Sequence, residues 1–190
     1  MSVTGFFHAG VTVSDMENAL RFYRDGLGLE VFYDGPASGR TAARIWALEP
    51  GEVRVVFLRV PGSDAVVELF EFSGVERHSA SARPVDYGAG HFCLYTDDAE
   101  GLHARMLEAG FRSRSGEVVT IHSGRHAGVK AVYLIDPDGY HVELYERPRD
   151  SLGKRPFTFS QSKGGVLLGY RSAKPEQHTP STGQSSSLSP

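Results

Sequence analysis

The chain has 190 residues, a hydrophobic share of 40% and a formal net charge of −3 at pH 7. That length is enough for one domain, or for two small fused halves, with a proper hydrophobic core. Acidic and basic residues are interspersed and the apolar runs are only strand-sized, so the composition argues against a nucleic-acid-binding surface and against a membrane-spanning segment.

The first half of the chain predicts a strand, a helix and then three strands. The stretch HAGVTV begins at His8 and alternates in polarity, which predicts a strand with His8 on the face away from the helix. Ser14 and Glu17 form a capping-box pattern ahead of the helix MENALRFYRDG, which is expected to end at Gly26. The strand-like runs TAARIWAL, VRVVFLRV and AVVELFEF follow, and the last of them carries Glu68.

The second half repeats these features in the same order. His91 opens the strand HFCLYT, and Asp97 with Glu100 repeats the capping box before the helix AEGLHARMLEAG, which is expected to end at Gly110. The runs GEVVTIH, VKAVYLI and YHVELYE read as strands, and VELYE repeats the earlier VELFE, so that Glu143 corresponds to Glu68. This matched order favours a duplicated module over chance similarity.

The predicted fold is α+β, with two tandem βαβββ modules; the family resemblance described below implies that they form an open, barrel-like sheet around a metal site. The modules cover about residues 3–75 and 88–147, within a domain of residues 1–147. Residues 148–190 form a C-terminal extension rich in Ser, Thr, Pro, Gly and Gln, which predicts a largely irregular or mobile segment. Its two apolar islands, PFTF and GGVLLGY, either dock on the body or on a neighbouring subunit, or remain disordered.

One histidine and one glutamate stand at equivalent points of each module, and together they form the candidate metal site: His8, Glu68, His91 and Glu143. A carboxylate set among Val and Phe is costly unless it is paired or binds a cation. Two imidazoles with one carboxylate form the ligand set of non-haem Fe(II) oxygenases. The alternative is that each side chain is a solvated polar group at a strand edge.

The helix phrase ALRFYRDGLGLEV and the closing phrase YLIDPDGYHVELYE resemble the vicinal-oxygen-chelate superfamily. This superfamily includes glyoxalase I, acyl-CoA epimerases, fosfomycin-type resistance proteins and type I extradiol dioxygenases. The similarity covers residues 3 to 147. The resemblance implies that the two modules enclose a divalent metal in an open sheet cavity.

Residues 124–143, GRHAGVKAVYLIDPDGYHVE, look like the signature of extradiol ring-cleaving enzymes of the one-domain biphenyl-2,3-diol 1,2-dioxygenase type. The resemblance implies Fe(II), with Mn(II), Ni(II), Co(II) or Zn(II) as alternatives, and a small aromatic diol and O2 as substrates. It also implies that His126 and Tyr133 hydrogen-bond the substrate or an intermediate. His78 is a further candidate acid–base group, with a solvated loop histidine as the alternative interpretation.

Other members of the superfamily remain alternatives. Glyoxalase I usually has an Arg and an Asn four residues after its first two ligands, where this chain has Thr12 and Phe72, although the His2Glu2 set itself matches bacterial glyoxalases. If Glu68 is a fourth ligand, only two metal positions stay open, which suits an isomerase or epimerase better than a dioxygenase. A metal-free drug-binding protein of the bleomycin-resistance type is a third alternative, against which the His and Glu set argues.

The remaining predictions concern surroundings and partners. A single cysteine, Cys93, and the lack of an export signal predict a cytoplasmic protein. Neither nucleic acid nor a membrane is an expected partner. A homo-oligomer is possible, because the site can be completed within one chain or between swapped subunits. Four aromatic residues on the predicted strands either line a substrate pocket or belong to the core: Trp46, Phe57, Phe70 and Phe72.

Overall fold

The computed structural model of the chain separates into two compact units, Met1–Leu152 and Gly153–Pro190. The described residues are 2–37, 39–47, 51–80, 82–149, 161–162 and 165–166. In the second unit, the two-residue strands Gln161–Ser162 and Gly165–Val166 pair in antiparallel fashion. The apolar island PFTF and most of GGVLLGY lie outside the described residues.

The first module contains a four-stranded sheet with the strand order β1-β4-β3-β2. Its elements are β1 His8–Val13, α1 Met16–Leu20, which continues as a π-helical segment Arg21–Gly26, β2 Glu30–Pro36, α2 Gly39–Trp46, β3 Glu52–Arg59 and β4 Val66–Ser73. The outer strand β1 runs parallel to β4, whereas β3 pairs antiparallel with both β4 and β2.

The second module repeats this sheet with the order β5-β9-β8-β6, and β7 also pairs with β8. Its elements are β5 His91–Thr96, α3 Ala99–Glu108, β6 Arg112–Ser113, β7 Val119–Thr120, a 3-10 turn Gly124–His126, β8 Lys130–Ile135 and β9 His141–Glu146. The predicted α+β class is confirmed, and the sheets are open rather than closed into a barrel.

One predicted strand is wrong, and another is confirmed only in part. The run TAARIWAL contains the helix α2, because its buried residues Ala42 and Ala43 and the half-buried Trp46 follow a helical period while Ile45 is 74% exposed. The second strand of the first module is instead β2, which precedes α2. It is an exposed edge strand whose sequence shows little alternation between apolar and polar residues. In the run GEVVTIH only the two residues of β7 form a strand.

The two sheets share the same register around the predicted ligands. The parallel partner of Glu68 on β1 is Gly10, and the parallel partner of Glu143 on β5 is Cys93. The antiparallel partners are Phe57 of β3 for Glu68 and Tyr133 of β8 for Glu143. Glu68 and Glu143 therefore occupy equivalent positions in the two sheets. Each lies two residues after the residue that pairs with the strand-opening histidine of its module.

One hydrophobic core joins the two modules on the helical side of their sheets. Phe22 and Tyr23 follow each other in the π-helical segment and are both fully buried. The Phe22 ring packs edge-on against Phe111 of the second module at 5.1 Å. The Tyr23 hydroxyl donates a hydrogen bond of 2.8 Å to Asp136, which opens the DPDG turn. These contacts hold the modules in one relative orientation.

The helix caps differ from the predicted ones by one residue. Asp15 and Asp98 are the N-caps, and their carboxylates accept bonds of 2.9 and 2.8 Å from backbone amides three residues on. The predicted caps Ser14 and Asp97 lie one residue earlier. Gly110 has the positive φ of 89° expected after the second helix, but the first helix reaches that conformation at Gly28 rather than at Gly26. No helix of the described residues is long and apolar enough to cross a membrane.

The assignment of Asp98 as the N-cap predicts that alanine substitutions at Asp98 and Asp97 have different effects on stability. We expect Asp98→Ala to lower the free energy of unfolding by about 1 kcal/mol, because the amide of Gly101 loses its acceptor. Asp97→Ala is the matched control, and its effect should stay within about 0.5 kcal/mol. Urea denaturation of both variants at pH 7 measures the difference; equal losses would contradict the cap assignment.

Candidate functional site

The first half of the site is a histidine–glutamate pair between β1 and β4. The Nε2 atom of His8 lies 2.7 Å from Oε2 of Glu68. Glu68 is only 7% exposed, and it lies in β4, an inner strand of the sheet. Burial raises the pKa of Glu68, and the attraction of His8 opposes this effect in part. Glu68 is therefore a desolvated carboxyl group that contacts the imidazole of His8.

The second half is the equivalent pair between β5 and β9, and it is more open. The Nε2 atom of His91 lies 3.4 Å from Oε2 of Glu143, and the His91 side chain is 45% exposed. The hydroxyl of Tyr133 lies 3.2 Å from the same nitrogen of His91. Cys93 is exposed as a residue, yet burial of its thiol and the charge of Glu143 raise the pKa of Cys93 to about 12. The thiol therefore stays protonated and is no thiolate nucleophile at neutral pH.

The four predicted ligands meet as two pairs and not as one set. Within the part of the chain that the structure describes, no three or more His, Cys, Asp or Glu side chains stand close enough together to hold a metal ion. Imidazole and carboxylate suit a divalent first-row metal, but open metal centres use at least three protein ligands. One pair alone therefore does not fit a resident metal, and the convergence of all four residues in one chain stays a prediction.

The predicted acid–base residues occupy three different environments. Tyr133 stands beside His91, as described above. The Nδ1 atom of His126 is hydrogen-bonded to the Tyr145 hydroxyl, on the same face of the second sheet. The side chain of His78 is 79% exposed, and its Nε2 atom lies 3.5 Å from Oε1 of Glu76, whose side chain is 85% exposed. Tyr133 and His126 thus lie on the face of the second pair, whereas His78 belongs to the segment between the modules.

Aromatic side chains cover the Glu68 face of the first sheet. Helix α2 places Trp46 over Phe70 and Phe72, with ring centroids 5.2 and 5.0 Å apart. Phe57 lies directly beside Glu68 in the register and stacks on Phe32. Three of these rings were expected on strands and lie there; Trp46 reaches the same face from a helix. This wall gives the surroundings of Glu68 an apolar character.

A cavity of 760 Å³ lies between the end of β1, the segment after β4 and the turn before β9. Its lining includes Gly10 and His141, which are the strand neighbours of Glu68 and His91. His141 is 4% exposed, and its Nε2 atom is buried and lacks a hydrogen-bond partner. Because side chains alternate along β9, His141 lies on the same strand face as Glu143, and its burial depends on the tertiary contacts around this turn.

Comparisons with known proteins agree with this architecture. A model of the glyoxalase/bleomycin resistance protein/dioxygenase superfamily matches residues 5–144. The chain is 30% identical over 149 residues to a 2-epi-5-epi-valiolone epimerase of Actinomyces sp., covering 74% of this chain and 78% of that protein. It is 28% identical over 148 residues to catechol-2,3-dioxygenase of Bacillus subtilis, covering 76% of this chain but only 42% of that protein.

A solved structure shows the same fold. The crystal structure of a glyoxalase family protein from Bacillus cereus superimposes with a TM-score of 0.67 at 19% identity, covering 77% of this chain and 95% of that one. At this identity the likeness concerns the fold alone. It supports the arrangement of two α+β modules with open sheets.

Proposed function

Because the chain belongs to the glyoxalase/bleomycin resistance protein/dioxygenase superfamily, we propose that it is an enzyme that moves a proton at a carbon atom next to a carbonyl group, as an epimerase or isomerase does. The observation that carries this proposal is the environment of Glu68. Its carboxyl group is buried, faces His8 at 2.7 Å and has a raised pKa. A carboxylate that is poorly solvated and oriented by a neighbour has the properties of a general base.

In this proposal Glu68 takes the proton from the substrate carbon. A raised pKa makes the ionised carboxylate a stronger base than a solvated one, so that the transfer is less uphill. The imidazole of His8 contacts Oε2 of Glu68 and holds the carboxylate in one orientation. A proton from water then adds to the opposite face of the same carbon and Glu68 releases its proton to the solvent, which completes an epimerisation.

The proposed substrate class follows from the aromatic side chains around Glu68. Aromatic rings cover this face, and polyhydroxylated rings bind to such surfaces through their C–H faces while their hydroxyl groups reach polar side chains. The 2-epi-5-epi-valiolone epimerase of Actinomyces sp. matches this chain over 78% of its own length. We therefore expect a small hydroxylated cyclic ketone as substrate.

Extradiol ring cleavage is the second candidate function, and the second pair favours it. Tyr133 lies within 3.2 Å of His91, and His126 reaches the same sheet face, as the signature in residues 124–143 implies. Against it, Glu68 duplicates the position of Glu143 and adds a fourth candidate ligand where ring cleavage needs three. Fe(II), with an aromatic diol and O2, remains the prediction attached to this function.

The two functions are separated by one pair of assays. Under the first, incubation of the protein and a hydroxylated cyclohexanone in D2O should replace a carbon-bound hydrogen next to the carbonyl by deuterium, which NMR detects. Under the second, protein loaded anaerobically with Fe(II) should consume O2 and form a yellow product from 2,3-dihydroxybiphenyl. Oxygen uptake without any solvent exchange would overturn the epimerase proposal.

A further inference from the structure

The cavity of 760 Å³ at the junction of the two modules is distinct from the two His–Glu pairs. Its walls come from the end of β1, the segment between β4 and β5, and the turn before β9, and its described lining contains none of the four candidate metal ligands. Small-molecule sites in proteins have volumes of about 300–1,000 Å³. The cavity is therefore large enough for a ligand of its own, at a place that the proposed reaction does not use.

Most of the wall of this cavity is apolar. Val11 and Val13 of β1 contribute to it, and Val75, Ala80 and Ala89 contribute from the segment between β4 and β5. A ligand that covers this wall removes apolar surface from water, which is the main favourable contribution to binding in such a site. The wall therefore favours a ligand with an apolar body.

Arg77 is the one lysine or arginine of the described lining, and it has no carboxylate partner among the described residues. Its Nη1 atom donates a hydrogen bond of 3.3 Å to the carbonyl oxygen of Ser14. The two acidic residues of the lining contact other groups: Asp138 accepts the amide of Ser14 at 2.9 Å, and Glu76 lies 3.5 Å from His78. Because a planar guanidinium group binds a carboxylate through two parallel hydrogen bonds, an acidic ligand suits Arg77.

His141 adds an unpaired polar atom to the same lining. It is 4% exposed, and its buried Nε2 atom has no hydrogen-bond partner among the described residues. Buried polar atoms are paired in most proteins, and ordered water or a ligand satisfies many of those that other protein groups do not. An imidazole nitrogen donates or accepts a hydrogen bond according to the tautomer. The atom therefore favours a ligand that carries oxygen over a pure hydrocarbon.

We infer that the cavity at the module junction binds a small carboxylic acid with an apolar body. The carboxylate of the ligand pairs with Arg77, and its body packs against the valines of β1 and of the segment between β4 and β5. Because the walls come from both modules, the ligand binds only the folded arrangement of the two and stabilises their junction by mass action. The inference is independent of the reaction that Glu68 performs.

The test compares two probes with the same apolar body, naphthaleneacetate and naphthaleneethanol, by isothermal titration calorimetry on the full chain. We expect the wild type to bind the carboxylate more tightly than the alcohol, and to unfold at a higher temperature when the carboxylate is bound. Arg77→Gln should weaken binding of the carboxylate by about 10- to 100-fold, the range for a hydrogen bond to a charged group, and leave binding of the alcohol unchanged. Arg83→Gln is the matched control and should change neither affinity, because Arg83 lies in the same segment but pairs with Asp86 at 2.6 Å and is absent from the described lining.

Two further variants locate the bound probe. Ala89→Trp places an indole ring in the lining and should abolish binding of both probes; if it does not fold by circular dichroism, Ser79→Trp replaces it. Glu68→Gln should leave both affinities unchanged, so that a failure of the proposed proton transfer leaves the binding result interpretable. The inference is overturned by a wild type that does not prefer the carboxylate, by an Arg77→Gln variant that binds it as tightly as the wild type, by binding that survives the tryptophan substitution, or by an affinity that changes in Glu68→Gln.

Discussion

Glu68→Gln is expected to lower kcat/KM for proton exchange by about 10²- to 10⁴-fold, the range that a positioned general base contributes. Glutamine has nearly the same shape as glutamate and can still contact His8, but it cannot accept a proton from carbon. The raised pKa of Glu68 shows that its burial disfavours the ionised form, and His8 offsets this only in part. The measurement is the rate of deuterium incorporation at saturating and limiting substrate.

Stability separates a catalytic role for Glu68 from a structural one. A carboxyl group whose folded pKa is raised loses stabilisation as the pH rises through that pKa, so ionised Glu68 opposes folding at neutral pH. Glu68→Gln should therefore unfold at an equal or higher urea concentration than the wild type at pH 7. Glu30→Gln, an exposed position on β2 of the same sheet, is the matched control and should retain full activity. A decrease of less than tenfold in Glu68→Gln would exclude Glu68 as the base.

Tyr23→Phe is expected to lower the free energy of unfolding by about 2 kcal/mol at pH 7, the value typical of a hydrogen bond to a charged group. The Tyr23 hydroxyl is a donor to Oδ2 of Asp136, and both residues are buried. The other carboxylate oxygen of Asp136, Oδ1, accepts hydrogen bonds from the backbone amides of Asp138 and Tyr140 at 2.9 and 2.7 Å. The bond therefore ties the first helix to the DPDG turn, and its loss weakens the junction between the modules.

The pH dependence of this loss follows from the pKa of Asp136. Burial raises that pKa, and the hydrogen bond from Tyr23 is the largest effect that lowers it. In Tyr23→Phe the pKa of Asp136 rises further. The loss of unfolding free energy is therefore largest at a pH where the Asp136 carboxylate is ionised, and it shrinks as the pH falls through the raised pKa. Urea denaturation of the wild type and of Tyr23→Phe measures this loss at several pH values, from neutral pH down to the acidic range in which carboxyl groups titrate.

Tyr33→Phe is the control for the removal of a hydroxyl group. The Tyr33 hydroxyl donates to the carbonyl oxygen of Pro36 at 3.2 Å, and the residue is 43% exposed. Its loss should cost no more than about 0.5 kcal/mol at any pH. Equal losses in both variants, or a Tyr23→Phe loss that does not depend on pH, would contradict the role given to the Tyr23–Asp136 bond.

Local patterns predicted the strands and helices well where apolar residues recur with a clear period. The runs around β1, β3, β4, β5, β8 and β9 were all read as strands. The run TAARIWAL was misread, because a short apolar segment rich in Ala and Arg fits a strand or a helix, and tertiary packing decides between them. The edge strand β2 was missed for the opposite reason, since both of its faces are largely exposed and its sequence shows little alternation.

By itself, the sequence determined which two side chains meet in each half of the candidate site. The repeated V-E-L motif and the strand-opening histidines place one imidazole and one carboxylate at equivalent points of two modules, because side-chain direction alternates strictly along a strand. Only the tertiary structure decided how these halves are arranged. That arrangement depends on contacts such as the bond between Tyr23 and Asp136, which lie 113 residues apart, and no local periodicity records such a contact. The pairs consequently form within each sheet.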